Sequence, residues 1–232
     1  MTSITQNLQA VQHAIAQAAR AAERDPQEIK LLAVSKSFPA SAILEAYEAG
    51  QRLFGENYVQ EALPKIEELS DLPIQWHFIG PIQSNKTRAI ARNFSWVHSV
   101  DNLKIAERLS AQRPDNLPPL NVCIQINTSG ELSKSGVGMG QVAGLAHAIA
   151  QLPRIKLRGL MSIPAFAANL EMQHIPFSKL REIKDSLNTQ GLTLDTLSMG
   201  MTNDLHAAVL EGSTMVRVGT GIFGERHFKD KE

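Results

Sequence analysis

The sequence predicts an α/β fold built as a single (β/α)8 barrel. Eight strand-sized segments rich in β-branched or apolar residues run along the chain, and helical patterns separate them. The length of 232 residues comes close to the roughly 250 that such a barrel needs. Apolar strands alternating with helices imply a parallel sheet covered on both faces, which right-handed crossovers build either as a closed barrel or as a doubly wound open sheet. Eight strand candidates favour the barrel.

The chain opens with apolar residues three or four apart, at Ile4, Leu8, Val11, Ile15 and Ala19, the pattern of an amphipathic helix over about 3–24 that closes near Asp25-Pro26 and precedes the barrel. The first strand is LLAVSK from 31, followed by a helix in PASAILEAYEAG, with Pro39 at its start and Gly50 at its stop. Next come RLFGEN from 52, IQWHFIG from 74 and WVHSV from 96, then a helix in NLKIAERLSAQ behind Asp101 as its candidate cap. NVCIQIN from 121 leads to a helix in GQVAGLAHAIAQ that ends before Pro153. KLRGLMSI from 156, TLSMG from 196 and MVRVGTGI from 215 complete the strands, and Pro164 to Pro176 reads as the longest irregular connection. No repeat, low-complexity tract or Gly/Ser linker divides the chain, so 1–232 is expected to form one domain.

Composition excludes several classes of function. Hydrophobic residues make up 43% and charged residues 20%, with 23 basic against 23 acidic, a balance that favours neither disorder nor a nucleic-acid surface. No run approaches the ~18 to 20 apolar residues of a membrane span, and no signal peptide opens the chain, so a cytoplasmic protein is expected. Cys123, the one cysteine, excludes an internal disulfide and any multi-cysteine metal site and reads as a buried strand residue. No metal is expected.

In a βα barrel, reactive groups gather at the C-terminal ends of the strands. Lys36 closes the first strand, where desolvation and nearby cations would lower its pKa and leave a neutral amine able to attack an aldehyde; the alternative is a solvated strand-end lysine. LSMGMTNDL sets Ser198, Gly200 and Thr202 between a strand and a helix, and RVGTGIFGER sets Gly219, Thr220 and Gly221 at the last strand end. Two such turns after strands seven and eight suit a phosphate, although glycine turns are also ordinary connectors. Period-two alternation puts Arg217 on the same side as Gly219 and Met215, expected to be the barrel interior, where it serves either a ligand or a structural ion pair. His77 on its own reads more readily as a core or hydrogen-bonded histidine than as a ligand residue. Lys86 and Lys134 sit at no strand terminus and read as solvated or anion-facing.

AVSK at 33 to 36, FGENYVQE at 54 to 61, HFIGPIQSNK at 77 to 86, SKSGV at 133 to 137, RGLMSIP at 158 to 164, LSMGMTND at 197 to 204 and VRVGTGIFGER at 216 to 226 together resemble the YggS/PROSC pyridoxal-phosphate homeostasis family, in order and in spacing. The resemblance spans almost the whole chain. It implies a fold-type III barrel similar to the N-terminal domain of alanine racemase, with pyridoxal 5′-phosphate (PLP) held as an internal aldimine on Lys36. It further implies Ser198, Gly219 and Thr220 at the phosphate, Arg217 at the pyridine nitrogen, Asn57 against the ring, and Met161, Met199, Gly200 and His77 lining the pocket. Ile82, Thr202 and Gly221 depart from the family's commoner leucine, serine and alanine without removing a group the chemistry needs.

An arginine at the pyridine nitrogen would keep that nitrogen unprotonated and weaken the ring as an electron sink. Racemisation needs acid–base groups on both faces of the substrate carbon; Lys36 serves one, and Tyr47 and Tyr58, expected in the helical segments after strands one and two, offer no obvious second. The expectation is therefore reversible holding, and delivery to PLP-dependent apo-enzymes, without catalytic turnover. A PLP-dependent amino-acid racemase and a PLP-reporting regulatory module are the alternatives. A monomer is expected.

Overall fold

The computed structural model describes residues 3–128, 135–165, 167 and 169–225. Helix α1 (Ile4–Ala21) starts on Ser3, whose side chain accepts from the Gln6 amide while the Gln6 side chain reaches back to the Ser3 amide, a capping box. The helix buries Leu8, Ile15, Ala18 and Ala19 and packs on the barrel from outside.

Strand and helix then alternate: β1 (Lys30–Val34), α2 (Ala40–Glu48), β2 (Leu53–Glu56), α3 (Val59–Glu68), β3 (Gln75–Phe78), α4 (Thr87–Asn93), β4 (Trp96–Val100), α5 (Leu103–Gln112) and β5 (Leu120–Asn127). The two-residue β6 (Val137–Gly138) follows, with α6 (Val142–Ala150), β7 (Ile155–Met161), α7 (Leu170–Thr189), β8 (Thr196–Ser198), α8 (Leu205–Leu210), β9 (Met215–Val218) and α9 (Thr220–Phe223). All pairings are parallel, and β1-β2-β3-β4-β5-β7-β8-β9 closes on itself through β9 against β1; β6 only extends β5. This is the eight-stranded barrel expected from the sequence.

Strand alternation sorts the side chains into two sets. Phe54, Trp76, Phe78, Val97, Val122, Ile124, Leu160, Leu197, Val216 and Val218 join one large apolar cluster with the helices. Their neighbours point into the barrel, where Trp96, Cys123 and Met161 form a separate cluster and His77, His98, Ser198 and Arg217 lie buried beside it.

Three local expectations are corrected. Asn102, not Asp101, caps α5: its side-chain oxygen accepts from the Ile105 amide. Helix α6 begins at Val142 behind a single 3₁₀ turn rather than at Gly140. The connection after β7 is shorter than expected, because α7 starts at Leu170 on the Asn169 cap and carries Pro176 within it. Pro176 is the seventh residue of α7, where it removes one i→i−4 amide bond, and the helix carries it nonetheless.

Candidate functional site

At the C-terminal end of the barrel, a cavity of about 180 Å³ is lined by Val34, Lys36, Phe38, Asn57, Ile79, Ile163, Met201, Thr202, Arg217, Gly219 and Thr220. A larger neighbour of about 490 Å³ shares Met201, Thr202 and Thr220 with it and extends toward α7. Lys36 and Gly219 meet here because β1 and β9 pair in register, Ala33 opposite Val218, so that the chain leaves both strands at one level. Lys36 is half-buried and lies two residues beyond the end of β1.

Asn57 enters from the loop after β2. Gly80 lies so close to it that a Cβ there would sit 2.0 Å from the Asn57 carbonyl oxygen, so the β2 and β3 loops press together and fix the asparagine. The Asn57 Oδ1 is buried without a hydrogen-bond partner. A buried acceptor in that state is costly unless a ligand or water satisfies it.

Arg217 reaches the cavity from below. Its Nη1 donates to the carbonyl (2.6 Å) and hydroxyl (2.8 Å) oxygens of Ser198, and its Nη2 donates to the Ser162 carbonyl at 2.9 Å. All three acceptors are uncharged. Burial lowers its pKa to about 10, which leaves the guanidinium charged, with Asp204 the nearby acid that favours the charge. Among the described residues, its Nε–H and second Nη2–H have no protein partner, which suits an acceptor atom in the cavity.

Ser198, Met199, Met161 and His77 do not line this cavity. The Ser198 hydroxyl turns into the barrel toward His98 Nδ1 at 2.8 Å, Met199 packs with the outer apolar cluster, and Met161 lies against Trp96 and Cys123. His77 is fully buried, stacked on Trp96 with ring centroids 5.4 Å apart, and bonded to His98 and Gln75. Burial holds the His77 pKa well below its usual value and that of His98 at about 3, so both are neutral. Gly200 acts through its backbone: with φ +95° and a hypothetical Cβ 2.5 Å from that of Ala208, it admits only glycine comfortably, and its carbonyl accepts from the Arg217 amide.

A buried ion pair lies behind Lys36. Lys65 Nζ donates to Glu56 Oε1 at 2.8 Å and to the Ser35 carbonyl at 3.1 Å, and the Ser35 hydroxyl donates to the same carboxylate oxygen at 2.7 Å. Glu56 Oε2 has no partner, and burial pushes the Glu56 pKa up against the opposing pull of Lys65. Neither tyrosine touches the cavity: Tyr47 faces outward in α2 under the Arg52 guanidinium, and Tyr58 stands exposed as the first cap of α3 rather than within it. Lys86 caps α4 away from the cavity, and Lys134 lies outside the described residues.

Sequence reasoning missed Phe38, Ile79, Ile163 and Met201, apolar loop residues with no signal of their own. It also missed His98, for which a signal existed: in WVHSV a histidine takes the inward position of an otherwise apolar strand.

Residues 6–227 match the family model of the alanine racemase N-terminal domain. The pyridoxal phosphate homeostasis protein of Pseudomonas aeruginosa is 59% identical, with 98% of each chain covered. PipY of Synechococcus elongatus, solved with PLP bound, superposes with a TM-score of 0.80 at 40% identity over 90% of this chain and all of that one. Alanine racemase of Corynebacterium glutamicum shares the fold, with a TM-score of 0.68 at 20% identity over 97% of this chain and 63% of the enzyme.

Proposed function

The chain belongs to the alanine racemase N-terminal domain family and, within it, to the pyridoxal phosphate homeostasis proteins, and on that premise we propose that it binds PLP at the mouth of its barrel and serves in the homeostasis of that cofactor. The observation that carries this reading is the meeting of the half-buried Lys36 with Asn57, Arg217, Gly219 and Thr220 around one cavity. The donor set fits the cofactor: an amine for an aldehyde, a charged donor for a ring nitrogen, and a glycine turn with a threonine for a phosphate. PLP would supply an electrophilic aldehyde on a conjugated ring.

Lys36 would hold that aldehyde reversibly through its amine. Arg217 would offer its remaining N–H groups to the pyridine nitrogen. Being charged and poorly acidic even at a pKa of about 10, it would keep its proton and leave the ring a weak electron sink. Gly219 and Thr220 would take the phosphate, and Asn57 would lie against the ring. Ser198 and Gly200 support these contacts from beneath, through Arg217.

In this reading the protein works as a one-domain cytoplasmic monomer that stores PLP and delivers it to apo-enzymes, without turnover of its own. Wild type and Lys36→Ala, loaded with PLP and desalted, test the proposal: wild type retains the cofactor and reactivates a PLP-dependent apo-enzyme, whereas the variant does neither. Equal retention and delivery by the variant would remove Lys36 from the account. Exchange of amino-acid α-hydrogens with solvent at turnover rates would replace the carrier with a racemase.

A further inference from the structure

A continuous hydrogen-bonded chain crosses the barrel interior. It runs from Arg217 to Ser198 Oγ (2.8 Å), from Ser198 Oγ to His98 Nδ1 (2.8 Å), from His98 Nε2 to His77 Nδ1 (2.9 Å) and from His77 Nε2 to Gln75 Oε1 (3.1 Å). Arg217 lines the candidate site, while Gln75 is exposed at the start of β3, on the opposite face of the barrel. His77, His98 and Ser198 between them have no solvent exposure. Four strands, from β3 at Gln75 to β9 at Arg217, therefore converge on one polar line, beside the apolar cluster of Trp96, Cys123 and Met161.

The donors along this line have one consistent direction. Arginine can only donate, so Ser198 Oγ accepts from it, and the serine hydroxyl hydrogen is left for His98 Nδ1. A neutral His98 then carries its proton on Nε2 and donates to His77 Nδ1. His77 in turn carries its proton on Nε2 and donates to the Gln75 carbonyl oxygen. The reversed direction would put a proton on His98 Nδ1 and leave the serine hydroxyl hydrogen without an acceptor among the described residues, buried and unsatisfied. Neither end of the line titrates in the ordinary range, so it carries no proton between the two faces. Its effect is to fix geometry.

We propose that His98 and His77 are positioning residues for the ligand site: His98, oriented by its bond to His77, accepts the Ser198 hydroxyl, which turns the serine lone pair onto Arg217 and holds the guanidinium with its remaining N–H groups facing the cavity. Arginines are commonly held by carboxylates, which would neutralise the charge offered to a ligand. Here every protein acceptor of Arg217 is neutral, and the two histidines supply the rigidity that a carboxylate would otherwise give. Asp204, the carboxylate that acts on Arg217, is engaged with the Met201 amide. The role rests on the reading of the site given above.

Two measurements test it. Long-range ¹H–¹⁵N spectra of the ligand-free wild type report both histidine tautomers without reference to binding, and both should be Nε2–H and neutral. Binding of pyridoxine 5′-phosphate, which lacks the aldehyde and so does not depend on Lys36, is then measured by calorimetry for wild type, His98→Phe and His98→Asn. His98→Phe should weaken binding about tenfold, and His98→Asn, whose amide oxygen can still accept the serine proton, should recover most of that loss. A proton on His98 Nδ1, or a folded His98→Phe variant that binds as wild type does, overturns the positioning role alone. Wild type that binds neither pyridoxine phosphate nor PLP overturns the site reading as well, and the tautomers still report the direction of the line.

Discussion

Replacing Lys65 with methionine should destabilise the protein in a pH-dependent way whose size follows from the buried Glu56 cluster. Among the described residues Lys65 is the one cationic partner of Glu56, and once it is gone the carboxyl keeps one hydrogen bond there, from Ser35, in a fully buried position. The carboxylate then either stays charged and unpaired or takes up a proton. Protonation caps the penalty. Against an ordinary value of 4.5, holding the group neutral costs up to ~3.4 kcal/mol at pH 7 but only ~0.8 kcal/mol at pH 5. Because the folded pKa is raised, the contribution of Glu56 is fully favourable below 4.5 and is lost as pH rises through the folded value; removing Lys65 moves that loss to higher pH. Wild type already bears part of the cost, since burial outweighs Lys65, so the difference between the proteins lies below the cap. Urea denaturation at pH 7 and pH 5 should give a penalty of about 2–3 kcal/mol at the higher pH, and less by at least 1 kcal/mol at the lower. Glu56→Gln added to Lys65→Met should recover most of the loss at pH 7. A penalty equal at both pH values, or a double variant no better than the single, would refute the reasoning.

Gly200→Ala should cost about 2–4 kcal/mol in a denaturation experiment, since the left-handed φ and the clash with Ala208 add; a loss under 1 kcal/mol would show that the turn simply shifts. His77 and His98 remain neutral when folded, whereas an unfolded histidine gains a proton below about 6.5, so stability is fully present above that pH and falls by ~1.6 kcal/mol per histidine between pH 6.5 and 5. Comparing the pH profiles of wild type and His98→Phe isolates one such step, and parallel profiles would contradict it. Cys123, fully buried and with its thiol pushed up to about 12, should resist a thiol reagent at pH 8 in native protein and react fully in urea; rapid native labelling would place it outside the barrel interior.

The barrel was legible because its periodicities are strong: eight apolar strand segments, with helical patterns read after the first, fourth and fifth, survive closure with their order unchanged. Strand ends were legible for the same reason, which is why Lys36, Asn57, Arg217, Gly219 and Thr220 fall together around one cavity. What escaped was depth. Ser198 and His77 stand on strand residues whose side chains point inward, but their distance below the mouth depends on barrel tilt and register, which no local pattern states. They accordingly lie within the barrel, hydrogen-bonded to His98, instead of lining the cavity. The Lys65 to Glu56 pair was invisible because its members come from separate elements and only the packing of α3 on β2 joins them. Pro176 was read as the end of an irregular connection, whereas it lies within α7.

The covalent role of Lys36 is tested most directly by incubating wild type with PLP, reducing with borohydride and mapping the modified peptide by mass spectrometry. The account predicts one pyridoxyl group, on the peptide that contains Lys36, and none at that position in Lys36→Ala. Modification centred on another lysine, or no modification after saturation with the cofactor, would contradict it.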